Sequence, residues 1–203
     1  GTDSTGVVTG LLPNVWGMTL KAPTNNGLDA QARLGLYTHM NGGNNALGNG
    51  QINLRETNFS VSGSFGTVLI GRSLGIYSSS AILNDMLLFS VGASPTADNS
   101  NTTLGRIGLG YLYTDFQPQI SWTTPGLGPI GFKVGLFDPN DVLSVNSDAD
   151  ATENVSPRVE AQATFYTEAA GVSADVWVEG SYQNTEYTAA AAAAAVAIDT
   201  NGT

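Results

Sequence analysis

The chain contains no cysteine, one histidine, and only seven lysines and arginines against 17 aspartates and glutamates, for a formal net charge of −10. Each shortage excludes something. Without cysteine there is no disulfide framework and no thiolate metal site. With His39 as the only histidine, a zinc site or a catalytic triad would need every other partner from elsewhere, and His39 reads as a residue at a strand rim. Few, dispersed basic residues argue against nucleic acid, whose phosphates call for clustered Lys and Arg. No run of 18 apolar residues occurs, so no transmembrane helix is expected. Gly1 opens an ordinary polar stretch without the basic start or apolar middle of a signal peptide, as in a matured exported protein. No glycine-rich phosphate loop or Gly-x-Ser-x-Gly element is present, and neither a cofactor nor a catalytic activity is expected.

Charge is scarce altogether. Asp, Glu, Lys and Arg make up 12% of residues, about half the usual share of a soluble domain. Hydrophobicity does not rise to compensate: apolar residues are 41% and the mean hydropathy is zero. Asn, Ser, Thr, Gln and Gly fill the gap, as expected where one side of each strand is polar without being charged.

What is present is alternation with a period of two, the mark of strands with one apolar and one polar face. In 15–22, Trp16, Met18, Leu20 and Ala22 oppose Lys21. In 30–39, Ala30, Ala32, Leu34 and Leu36 oppose Gln31, Arg33, Gly35, Tyr37 and His39. Phe59 and Val61 oppose Asn58, Ser60 and Ser62, while Phe132, Val134 and Leu136 oppose Lys133. Val159, Ala161, Ala163 and Phe165 oppose Arg158, Glu160, Gln162 and Thr164. In the last run Val172, Ala174, Val176, Val178 and Tyr182 oppose Ser173, Asp175, Glu179, Ser181 and Gln183, with Trp177 a bulky exception.

Connections alternate in length. Short glycine-containing links lie near 63–66, 125–131 and 168–172, and long polar links at 40–50, 73–102 and 138–156. An up-and-down barrel has this layout, with elaborated loops at one rim and tight turns at the other. The alternation also makes 103–124 a single kinked strand or a returning loop arm that runs into a strand. Its apolar parity changes from Ile107, Leu109, Tyr111 and Tyr113 to Ile120 and Trp122, as one bulge would cause. The expectation is an all-β antiparallel transmembrane barrel with about eight strands present, residues 1–203 forming part of one domain without repeat or linker. The alanine-rich run 189–195 sits where a further long loop belongs, and the turn-like end 199–203 suggests a chain cut from something longer.

All seven basic residues fall in or at the ends of expected strands. Lys21, Arg33, Arg106, Lys133 and Arg158 lie on polar strand faces; Arg55 and Arg72 share parity with apolar neighbours, near strand ends where register can change. Lipid near mid-bilayer resists an outward Lys or Arg by about 2–4 kcal/mol, so these residues would line a lumen. Acids gather instead in one long loop, at Asp138, Asp141, Asp148, Asp150 and Glu153. Hard cations such as Ca²⁺ take several carboxylate oxygens; this loop lacks the EF-hand order of ligands, and a solvated loop is the plainer reading. Asp85 stands apart in the longest loop, within SSAILNDMLLF at 79–89. It either caps a short helix there or faces the basic wall and sets a transverse field, the general device of pore selectivity. Trp16, Trp122 and Tyr182, on the apolar face, fit an interfacial aromatic girdle, although core packing explains any one of them.

The stretch RETNFSVSGSFGTVLIGR at 55–72 resembles the signature of Gram-negative general porins: an Arg-led strand, a Gly-x-Phe-Gly-Thr turn and a strand ending Gly-Arg. In that family the Gly-Arg opens a third loop that folds into the barrel as the constriction, which the resemblance places at about 73–102. QISWTTPGLGPIGF at 119–132 resembles the family's hairpin with Ser/Thr-Pro and Gly-Phe around a short turn. It departs at Ser121, where many porins carry arginine; Arg106 upstream is the candidate substitute. The resemblance covers 55–137 by motif and the remainder by pattern. It implies sixteen strands in a full barrel, a homotrimer in the bacterial outer membrane among lipid and lipopolysaccharide, and passive passage of small polar solutes and ions. The expected constriction sets Asp85 against Arg33, Arg55, Arg72 and Arg106, with Lys21, Lys133 and Arg158 elsewhere on the lumen wall. The competing reading is a soluble or surface-attached β-sandwich serving as a binding or adhesive module, which would bury its apolar strand faces in a core.

Overall fold

The computed structural model describes residues 14–38, 52–85, 114–126, 128–139, 152–154, 156–169 and 171–187. Strands β1 (Asn14–Lys21), β2 (Asp29–Thr38), β3 (Asn53–Gly63) and β4 (Gly66–Leu74) precede a single-turn helix, α1 (Ser79–Leu83). Strands β5 (Phe116–Thr123), β6 (Ile130–Phe137), β7 (Thr152–Asn154), β8 (Arg158–Ala169), β9 (Val172–Tyr182) and β10 (Thr185–Tyr187) follow. Eight of them make one sheet in the order β1-β2-β3-β4-β5-β6-β8-β9, and each neighbouring pair is antiparallel. The sheet is therefore a meander, the connectivity of an up-and-down barrel wall.

The links behave as the sequence suggests. β3 and β4 meet through Ser64 and Phe65, with Gly63 opposite Gly66. Gly66 has φ 99°, and a Cβ there would run into the Thr123 carbonyl oxygen, so this turn needs glycine. β5 and β6 are joined by 124–129, and a single strand occupies the described part of 103–124. The stretch 103–113, where the parity change falls, lies outside the described residues.

β7 and β10 were not expected. They pair antiparallel, Asn154 with Thr185 and Tyr187 with Thr152, a few residues beyond the β8–β9 ladder that ends at Val159 and Tyr182. The β8–β9 hairpin thus continues, after a break, as a two-stranded ribbon, drawing parts of two long polar connections into regular pairing.

Burial is inverted relative to a water-soluble sheet. Outward rows carry exposed Trp16, Met18, Leu20, Phe59, Ile70, Ile120, Phe132, Val134, Leu136, Val176 and Val178, whereas Ser60, Gln117, Gln119, Arg158, Glu160 and Gln162 are buried. The only buried hydrophobic residues described are Ile76, Ile82 and Phe137. A β-sandwich would do the opposite, because apolar surface leaves water at roughly 25 cal/mol per Å². Apolar strand faces without a protein core need lipid as their solvent.

The sheet also curls toward its polar face. Tyr37 on β2 and Phe116 on β5 are separated by β3 and β4, about 14 Å of sheet at roughly 4.8 Å per strand, yet their ring centroids are 5.4 Å apart.

Candidate functional site

Pairing partners define one inner row running across the sheet: Thr19, Arg33, Asn58, Gly71, Gln119, Phe137 and Arg158. Arg33 lies along the wall, not out into the lumen. Its Nε and Nη2 donate to Glu56 Oε2 at 3.2 and 3.1 Å, and its Nη1 donates to Thr19 Oγ1 at 3.2 Å. Tyr37 donates its hydroxyl to the same Glu56 oxygen at 3.1 Å. Two glycines make room for this: a Cβ on Gly17 would meet the Arg33 guanidinium, and one on Gly35 would meet the Glu56 carboxylate.

Arg55 owes its placement to a bulge. Gly35 pairs with Glu56 but Leu36 pairs with Leu54, so Arg55 is the extra residue of β3. A bulge re-aims a side chain that strict alternation would send to the other face. The guanidinium consequently lies 5.0 Å from the Tyr37 ring centroid and 5.5 Å from that of Phe116. Arg72 is different. Its pairs are Thr57 and Pro118, continuing the row of Val68 and Ile70. Gly71 before it has φ 123°, and the Arg72 Nε is shielded from solvent without a hydrogen bond.

Lys133 opposes Thr123 and Gln162, and Lys21 opposes Gln31; both are exposed near the short-turn ends of their strands. Arg158 is buried, 5.6 Å from the Phe137 ring centroid, with its Nε 2.9 Å from Glu160 Oε1. That ion pair is close in distance but off the N–H direction, since Nε makes no hydrogen bond. The described basic residues are thus spread along the wall, two of them held against carboxylates, and are not gathered into a single ring.

The chain after β4 turns onto the polar face. Gly75 donates its N–H to the Asp115 carbonyl at 2.9 Å, and Gln119 Nε2 donates to the carbonyls of Ser73 and Leu74 at 3.0 and 2.9 Å. The following residues reach β8 and β9. Glu160 Oε2 accepts the N–H groups of Ile76 and Tyr77 at 2.7 and 2.9 Å, and Glu179 Oε1 accepts that of Ser78 at 2.9 Å. Gln162 Nε2 donates to Ser80 Oγ and to Glu179 Oε2, both at 2.8 Å. Ile76 and Ile82 of this segment are buried, as is Phe137 of β6. Hydrogen bonds to charged acceptors are worth about 1.5–3 kcal/mol each, so this attachment is a strong one for so short a segment.

Asp85 is buried at the end of this segment, and its N–H donates to the Ile82 carbonyl at 3.2 Å. The C-terminal turn of α1 is closed by Asn84, whose Nδ2 donates to the Ser80 carbonyl at 2.8 Å. Residues 86–102, Arg106 and His39 lie outside the described residues, as do Asp141, Asp148 and Asp150. Asp138 is exposed, with its N–H on the Pro118 carbonyl at 3.0 Å. Among the described residues no group of three His, Cys, Asp or Glu is placed to hold a metal ion.

The sequence pattern that defines Gram-negative porins matches residues 1–203. The chain belongs to the Gram-negative porins. It is therefore a protein of the bacterial outer membrane, and its exposed apolar rows are the lipid face of a porin wall. Among solved structures, the porin resembles the outer-membrane channel DcaP of Acinetobacter baumannii, with a TM-score of 0.51 and 15% identity over 87% of this chain and 44% of that one. It also matches an anion-selective porin from Comamonas acidovorans, with a TM-score of 0.49 and 20% identity over 88% of this chain and 59% of that one. The chain spans about half the length of these two structures. No curated protein matches it.

Trp16, Trp122 and Tyr182 all stand on the lipid face of this porin. Trp16 and Tyr182 lie toward the long-loop ends of β1 and β9, Trp122 toward the short turns, where its Nε1 donates to the Phe65 carbonyl at 2.9 Å. An amphipathic ring with a satisfied N–H suits a membrane interface.

Reading the sequence placed Arg33, Lys133 and Arg158 on polar faces but missed the carboxylates that matter most: Glu56, Glu160 and Glu179. Their polar parity was visible. Their partners, Arg33 across a bulged ladder for the first and backbone amides 83 to 101 residues away for the others, were not.

Proposed function

We propose that the full-length protein forms a water-filled channel for passive diffusion of small hydrophilic solutes and ions, with the loop at about 73–102 as its constriction. The observation that carries this reading is the fixing of residues 76–80 to the inner face of β8 and β9, three and four strands away from β4. A segment folded across the polar face of a barrel wall narrows the lumen and adds its own groups to the solute path. Arg33, Arg55, Arg106, Lys133, Arg158 and Lys21 act on permeating ions together with Asp85 of the loop, whereas Arg72, in the row of Val68 and Ile70, is left out of this set. Among the described inner-face arginines, Arg55 carries most of the net positive field, because Arg33 and Arg158 are each held at a carboxylate. The barrel works as a homotrimer embedded in outer-membrane lipid and lipopolysaccharide, without cofactor or energy coupling.

Single-channel recording in planar lipid bilayers tests the proposal. Stepwise conductance increments, grouped in threes, are the expected result. Folded protein that inserts yet passes no current overturns it.

A further inference from the structure

We infer that Glu160 and Glu179 are positioning residues that set the bore of the channel, by holding residues 76–78 against the wall through their backbone amides. The inference rests on the channel reading above and adds which groups fix the constriction. The amides of Ile76, Tyr77 and Ser78 are consecutive donors, and among the described residues all three end on carboxylate oxygens from two adjacent strands. Backbone donors demand no side-chain identity in the loop, so the wall, not the loop sequence, dictates where the segment lies.

The carboxylates are themselves restrained. Arg158 stands at Glu160 Oε1, leaving Oε2 for Ile76 and Tyr77. Gln162 bridges Glu179 Oε2 and Ser80 Oγ, leaving Oε1 for Ser78. One oxygen of each carboxylate thus faces the wall or a neighbouring amide and the other faces the loop. Gly75 at the start of the segment also approaches Glu160: a Cβ there would sit 3.3 Å from Oε2 and 2.9 Å from Thr114 Oγ1. Glu160 is 3% exposed, so its charge is directed at the loop amides and not at the solute path. Removing it should widen the passage for molecules that carry no charge.

The test uses the full-length protein in lipid, with hydrogen exchange read at the loop amides and permeability read with neutral oligosaccharides of increasing size. Glu160→Ala should expose the Ile76 and Tyr77 amides to exchange at least roughly tenfold faster, the loss of one charged acceptor bond. Glu179→Ala should do the same at Ser78, and either variant should admit larger sugars than the wild type. Glu160→Gln keeps one acceptor oxygen and should fall between, which also serves if the alanine variant does not fold. Unchanged exchange at these amides, or faster exchange with an unchanged sugar limit, overturns the inference. A wild type that passes neither ions nor sugars overturns the channel reading instead, while the exchange data still judge the attachment.

Discussion

Arg33 and Glu56 meet at 3.1 Å on the inner face, each lying over a glycine of the neighbouring strand. With side-chain exposures of 32% and 18%, the pair is only partly removed from water, so its worth to stability is small, at most about 1 kcal/mol. Its larger effect is electrostatic: Glu56 cancels a positive charge on the lumen wall. Glu56→Gln should leave folding in detergent nearly unchanged and shift the reversal potential in a salt gradient toward anions. A shift toward cations, or none, would show that Arg33 does not face the conducting path.

Arg55 should show the opposite sign. Its guanidinium lies against both Tyr37 and Phe116, whose rings also touch each other, contacts worth about 0.5–1 kcal/mol each when partly exposed. Arg55→Ala should move ion preference toward cations, and by more than Arg158→Ala, whose charge is already matched by buried Glu160. Equal shifts from the two variants would contradict this ranking.

The lipid face predicts a penalty that a soluble sheet would not have. Ile120 is 56% exposed in the middle of β5. In water, Ile120→Lys would be harmless; in a bilayer it should cost about 2–4 kcal/mol. Equilibrium folding into lipid vesicles against denaturant measures the difference, and Ser121→Lys on the opposite face is the control expected to lose far less.

Trp122 ties the lipid face to the β3–β4 turn through its Nε1 bond to the Phe65 carbonyl. Trp122→Phe keeps most of the apolar ring and removes the donor, so about 1 kcal/mol should be lost. The same vesicle-folding assay reads it. A neutral result would mean interfacial water replaces the indole.

The eight strands of the main sheet, their meander order and the choice of lipid-facing rows were legible from the chain, because alternation with period two writes the two faces of a strand directly into the sequence. Phe132, Val134 and Leu136 needed no partner to declare their side. Alternation alone points Arg55 outward, and the register change allowed for near its strand end is the bulge against Gly35 that turns the side chain in. Alternation was silent on β7 and β10, since two three-residue strands carry too few positions for a period to show.

Local pattern by itself determined that this protein has one apolar and one polar face, few charges, and the described basic residues in strands. Those are properties of neighbours along the chain. Only the tertiary structure decided which charges act: that Glu56 neutralises Arg33, and that Glu160 and Glu179 hold the loop by its backbone. The physical reason is that these contacts depend on register, sheet curvature and a segment crossing three strands. Backbone amides, moreover, are the same in every residue and leave no trace in a sequence.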